Sequence, residues 1–241
     1  MEDQLDMSFV EKILPVFKRL RNYSRVKVDG MEHIPDGPAI LVGNHTGWLG
    51  LDYVFTALSV HEALGRMVRG MAHPAWFKHP ATGTFARRCG IIEISKGAMA
   101  KRLEVGDLIM MFPEGEKGAF RPGSDYTLEP FARGFVRVAM ETGVPVIPVC
   151  ILGGEEANPV GQQLQSYEEL VNLKGGLPVP KNLIPKPVKW RIRFLPPLDL
   201  AAYGPEDAGD HDLVHTTAEN TRARIQRELR IMKVERGHPY L

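Results

Sequence analysis

Three short apolar runs, Ala39 to Val42, Asp107 to Phe112 and Val144 to Leu152, constrain the fold of this chain more than any other feature. They are of strand length and do not alternate with polar residues, which is how a strand reads when both of its faces are covered. Arg25 to Asp29 and Trp190 to Phe194 alternate instead, and Arg66 to Gly70 and Gly90 to Ile94 are further strand candidates. Helical spacing fills the intervals. Asp52 reads as an N-cap for a helix through Phe55, Leu58 and Val60, and Ala98 to Leu103 forms a short helix. Phe131, Phe135, Val138, Ala139 and Glu141 mark a helix that ends at Gly143, and Leu213 to Val234 closes the chain as a charged helix. Strands alternating with helices predict an α/β layered sheet flanked by helices.

The chain divides unevenly. Residues 1–24 are expected to hold an amphipathic helix, with Phe9, Val10, Ile13, Leu14, Phe17 and Leu20 at helical spacing over residues 7–22. Lys12, Lys18, Arg19, Arg21 and Arg25 give it a basic edge, and Pro15 should kink or interrupt it. Residues 25–241 then form a single domain, with an inserted loop at about 153–187 that contains Tyr167-Glu168-Glu169. A length of 241 residues supports one such core. The net charge of +1 provides no global attraction to nucleic acid, so an anionic surface must be met by local patches. Two cysteines, Cys89 and Cys150, are too few for a disulfide framework and point to a reducing compartment. The N-terminus lacks a secretory h-region, and the longest apolar run, Val144 to Leu152, falls well short of the ~20 residues that span a bilayer. A cytoplasmic protein, peripheral on the membrane, is the expectation. Its first helix either lies in the membrane interface or packs on the sheet.

The chemistry-bearing residues follow the apolar runs. Asn44-His45 comes directly after the first, and Asp52 lies seven positions beyond His45. A strand end presents an imidazole rigidly, and a carboxylate holds its other ring nitrogen in one tautomer. Phe112-Pro113-Glu114-Gly115-Glu116-Lys117 leaves the second run as a turn with exposed backbone N–H groups and a flanking cation. Base, orienter and oxyanion donors are the parts that acyl transfer requires. Neither a G-x-S-x-G elbow nor a P-loop is present, and His211 and His215, four apart, lack the glutamate of a zinc protease motif and read as an exposed helix face. Trp48, Trp76, Phe77 and Phe85 either line an acyl-chain groove or fill the core.

These segments resemble the glycerolipid acyltransferase family, which includes the 1-acylglycerol-3-phosphate acyltransferases. Asn44-His45 through Asp52 matches its first block, Gly90-Ile91-Ile92-Glu93-Ile94-Ser95-Lys96 its second, Phe112 to Lys117 its third, and Val144-Pro145-Val146-Ile147-Pro148-Val149 its fourth. Order and spacing agree from about residue 25 to 155. The resemblance implies an acyltransferase in which His45 is the general base and Asp52 orients it. It places Lys96, Glu114, Gly115 and Lys117 on the acceptor. It also implies transfer from acyl-CoA or acyl-carrier protein to a lipid acceptor, with no resident cofactor or metal. Two departures stand out. Six residues rather than four separate His45 from Asp52, so the loop must bulge, which Gly47 and Gly50 make sterically easy. Lys96 and Lys117 replace two family arginines, keeping a point charge but losing the bidentate fork. An acceptor without a phosphate therefore stays open, as does a lipid-binding or lipid-transfer protein on the same scaffold.

Overall fold

The computed structural model describes residues 5–47, 50–121, 123, 125–164, 177–182 and 184–240. Among these residues, seven strands form one sheet in the order β1-β9-β6-β2-β5-β3-β4. They are β1 (Lys27–Asp29), β2 (Ala39–Gly43), β3 (Val68–Ala72), β4 (Ile92–Glu93), β5 (Leu108–Met111), β6 (Val146–Leu152) and β9 (Arg191–Phe194). The three apolar runs are its centre. Ile40 of β2 stands opposite Ile109 of β5 on one side and Val146 of β6 on the other. Every pairing in this sheet is parallel except β6 with β9.

Alternate residues of each central strand enter opposite layers, which is why the runs are continuously apolar. Ile40, Val42, Ile109, Val146 and Cys150 pack under α7 (Gly134–Thr142) and α9 (His211–Arg236), meeting Phe135, Val138, Ile225 and Leu229. Leu41, Leu108, Met110, Ile147 and Ile151 face the other way, onto Phe55 of α2 (Leu51–Leu64), with Trp190 and Ile192. The parallel register sends the C-terminal ends of β2, β3, β4, β5 and β6 to one end of the sheet. In open α/β sheets ligands bind at that end.

Several expectations are corrected. Gly50, not Asp52, occupies the N-cap of α2, and Asp52 lies inside the first turn. The stretch that links the strand candidates Arg66 to Gly70 and Gly90 to Ile94 holds two further helices, α3 (Ala75–Lys78) and α4 (Pro80–Arg88). Pro80 sits in the first turn of α4, where its missing N–H costs nothing, and His79 caps it by accepting from Ala81 N at 3.3 Å. The segment expected as an inserted loop opens with a buried helix, α8 (Gly154–Ala157). It continues into β7 (Val160–Leu164), which pairs antiparallel with β8 (Leu177–Pro180); Tyr167-Glu168-Glu169 lies outside the described residues.

The first helix, α1 (Met7–Tyr23), runs through Pro15 without ending and docks on α2 and α4. Asp6 caps it by accepting from Phe9 N at 3.0 Å and takes two bonds from Arg88, at 3.1 and 2.8 Å. Phe9 meets Phe85 edge-on at 5.8 Å, and Lys18 and Arg21 both pair with Glu62. Of the apolar stripe, Val10 is buried while Phe9, Ile13, Leu14, Phe17 and Leu20 are half-buried.

Candidate active site

The site starts from the end of β2. Asn44 is fully buried, donates to the Ile151 carbonyl at 2.9 Å and accepts from the Ile151 N–H at 2.8 Å. This pair of bonds extends the β2–β6 ladder by one step through a side chain, so His45 enters its loop from a fixed point. His45 Nδ1 lies 2.5 Å from Asp52 Oδ2, and its ring stacks on Phe112 at 4.3 Å and 16°. Asp52 is fully buried; Oδ2 also accepts from Thr46 N and Oδ1 from Tyr53 N, both at 2.8 Å. A carboxylate only accepts, so this geometry assigns the proton to Nδ1 and leaves the Nε2 lone pair available. Among the described residues no group hydrogen-bonds Nε2, and the side chain of His45 is 21% exposed. The six-residue spacer closes the pair because Gly47 and Gly50 take φ of +85° and +66°, values costly for any residue with a Cβ. Trp48, on that spacer, lies outside the described residues.

The turn after β5 braces the histidine from behind. Glu114 was expected on the acceptor, yet its side chain has no exposed surface and its carboxylate is engaged by three protein donors. Oε1 accepts from His45 N at 3.0 Å, and Oε2 accepts from Glu129 N at 2.8 Å and from Arg121. Gly115 carries φ of +61°, and its N–H donates to the Phe112 carbonyl at 3.0 Å, so this N–H is closed to a ligand. Lys117 lies exposed on α6 (Glu116–Ala119), and Lys96 opens α5 (Lys96–Glu104), capped by Ser95. Both helices follow strand ends on the side of His45; the side chain of Lys96 lies outside the described set.

Arg121 is the buried cation that sequence reasoning missed. It joins Glu114 to Glu155 of α8, reaching Glu155 Oε1 at 2.6 Å. Beyond it, the Tyr126 hydroxyl donates to Glu156 and accepts from Gly153 N at 2.6 Å, and Arg236 of α9 reaches Glu156 Oε1 at 2.5 Å. Gln226 clamps the same segment, accepting from Leu128 N and donating to the Tyr126 carbonyl, each at 2.8 Å. Three buried carboxylates thus share two guanidinium groups. Burial pushes Glu155 up to about 7 and also raises Glu114, against the pull of Arg121 on each. Burial disfavours the Arg121 cation too, yet Glu114 and Glu155 together hold it above its ordinary range. The one sequence signal for this network is an acidic pair, Glu155-Glu156, two glycines past a strand buried along its whole length.

α8 also presses on the histidine loop. Glu155 N donates to Thr46 Oγ1 at 3.1 Å, and a Cβ on Gly154 would stand 2.1 Å from the Thr46 carbonyl oxygen. Of the aromatic residues expected in a groove or core, Trp76 is 55% and Phe85 44% exposed, and Phe77 is half-buried.

The acyltransferase family model matches residues 25–152, a span that encloses His45, Asp52, Lys96, Glu114, Gly115 and Lys117. The chain belongs to the glycerolipid acyltransferase family. An uncharacterized protein of Mycobacterium tuberculosis is 32% identical over 240 residues, covering 95% of this chain and 66% of its own length. A chloroplastic 1-acyl-sn-glycerol-3-phosphate acyltransferase of Brassica napus is 26% identical over 153 residues, 58% of this chain and 41% of that protein. The chain therefore spans just under two thirds of the first of these relatives and less than half of the second. The crystal structure of the 1-acyl-sn-glycerophosphate acyltransferase from Thermotoga maritima shares the fold, with a TM-score of 0.62 at 21% identity over 93% of this chain and 79% of that one.

Proposed function

We propose that this protein transfers a fatty acyl group from a thioester, acyl-CoA or acyl-carrier protein, to the hydroxyl of a lysophospholipid or glycerolipid. The observation that carries this reading is the His45–Asp52 pair, with Nε2 open at the ligand-binding end of the sheet. Nε2 takes the proton of the acceptor hydroxyl as its oxygen attacks the thioester carbonyl. The new C–O bond forms, the C–S bond breaks, and the sulfur leaves as a thiolate that regains a proton from the imidazolium or solvent. Asp52 stabilises the imidazolium formed in between and fixes its orientation. His45 thus acts directly on the acceptor, with no acyl-enzyme, resident cofactor or metal in the sequence of steps.

Glu114 positions His45 through the backbone N–H at 3.0 Å, while Lys117, exposed on α6, supplies a point charge for the acceptor, a role the family resemblance also gives Lys96. A lysine binds phosphate without the geometric selectivity of an arginine fork, which keeps neutral glycerides within reach of the site. The enzyme works peripherally on membrane. Among the described residues no helix is long and apolar enough to cross one, and α1 leaves Lys12, Val16 and Arg19 exposed.

The test supplies acyl-CoA with lysophosphatidic acid or monoacylglycerol and follows thiol release and acylated product. Transfer to either supports the reading. A rise in KM for lysophosphatidic acid alone in Lys117→Ala assigns a phosphate contact. Lipid binding without thiol release on any acceptor would instead support a lipid-binding or lipid-transfer protein.

A further inference from the structure

The charges of this chain are nearly balanced overall, at 30 basic against 29 acidic residues, yet residues 63–92 contain neither Asp nor Glu. The same stretch carries Arg66, Arg69, Lys78, Arg87 and Arg88. It includes α3 and α4, which extend from the C-terminal end of β3, and β3 lies beside β5 and one strand from β2. They therefore project from the end of the sheet that holds His45.

Three of these cations are turned to structural partners. Arg66 donates to the carbonyls of Pro35 and Gly106, Arg69 pairs with Asp107, and Arg88 pairs with Asp6. Lys78 is exposed, and Arg87 is half-buried with its guanidinium over the Phe77 ring at 5.2 Å. Between them large apolar side chains stay in the open: Trp76 on α3, Phe85 on α4, and Ile94, 52% exposed, just past β4. Exposed aromatic rings beside cations that pair with no carboxylate among the described residues match the boundary layer of an anionic bilayer, where the rings sit among headgroups and the cations meet phosphates. The Phe9–Phe85 contact joins α1 to the same patch.

We propose that α3 and α4 form the main membrane-docking surface, with Trp76 inserting into an anionic phospholipid bilayer and Lys78 and Arg87 contacting its phosphates. This deepens the peripheral-membrane reading above and moves the point of insertion away from α1, whose apolar stripe is already half-buried against α2 and α4. An acidic carrier protein would also meet the cations. The bilayer is the occupant proposed because exposed Trp and Phe side chains on helices that carry cations and no acid suit its boundary layer, and capture of the carrier protein instead is an outcome of the test.

The test uses the full chain and sedimentation with vesicles of phosphatidylcholine, with and without phosphatidylglycerol. Trp76 and Lys78 are exposed, so Trp76→Ala with Lys78→Glu should leave the thermal unfolding midpoint unchanged. The pair should weaken binding to the anionic vesicles by about tenfold or more, since one headgroup contact alone gives about fivefold. A second readout needs no loss of function: Trp76 emission, isolated as the difference between wild type and Trp76→Phe, should shift to the blue on anionic vesicles. His45→Ala should sediment like wild type, so failed catalysis and failed docking remain distinguishable. Wild-type partitioning of the double variant, or Trp76 emission indifferent to vesicles, would overturn the proposal. So would loss of binding to acyl-carrier protein with vesicle binding intact.

Discussion

Replacing Arg121 by Met removes the cation between Glu114 and Glu155 and leaves two carboxylates facing one another in the interior. The Arg121 side chain is 6% exposed, and those of Glu114 and Glu155 are 0% and 2%. Breaking a buried ion pair from one side typically costs ~3–5 kcal/mol, because the remaining charge has neither water nor partner. At roughly 2–4 °C per kcal/mol for a domain of this size, the melting temperature should fall by roughly 6–20 °C. The deficit should also depend on pH. Burial already raises both carboxyl groups, Glu155 to about 7, and losing the cation raises them further. A raised carboxyl pKa stabilises the fold when the group is protonated and withdraws that contribution as pH rises. The variant should therefore be closest to wild type near pH 5 and furthest from it at pH 8. Adding Glu114→Gln and Glu155→Gln removes the unpaired charges and should recover part of the loss. Urea unfolding followed by circular dichroism at both pH values measures this. A loss under ~1 kcal/mol at pH 8 would refute the claim that these groups act as a buried charged unit.

Wild-type stability should decline between pH 4.5 and about 7 as Glu155 ionises in the folded state, and Glu155→Gln should flatten that slope in urea titrations across the window. Asn44→Ala leaves the Ile151 N–H and carbonyl buried without partners, and at ~1–3 kcal/mol for each orphaned group the unfolding midpoint should drop markedly. Lys117→Ala should raise KM for a phosphorylated acceptor and leave a neutral glyceride unaffected, as steady-state kinetics on both acceptors will report.

The central sheet was legible because β2, β5 and β6 are covered on both faces and so cannot hide their strand character. The positions of His45 and the Glu114 turn were legible because each follows the end of a buried strand, β2 or β5, where spacing along the chain maps onto one place in space. What escaped was set by tertiary contact. Asp52 has the composition of a cap, but its oxygens are taken by His45, Thr46 and its neighbour Tyr53, and Gly50 turns the chain instead. The helices α3 and α4 were not read from the sequence, although Pro74 and Pro80 stand at their starts, where proline is favourable. The cation after Phe-Pro-Glu-Gly was assigned by position to Lys117, which is exposed on α6. Arg121, four residues further, comes past the end of α6 and enters the interior. Nothing along the chain marks Arg121 as buried until Glu155 is known to lie beside it.

In the proposed mechanism His45, oriented by Asp52, removes the proton of the acceptor hydroxyl. The most direct measurement is kcat for thioester-to-lipid transfer in His45→Ala, on protein whose unfolding midpoint matches wild type. A positioned general base contributes ~10²–10⁴-fold, and a loss of that size in kcat is the expected result. Transfer at the wild-type rate would contradict the mechanism.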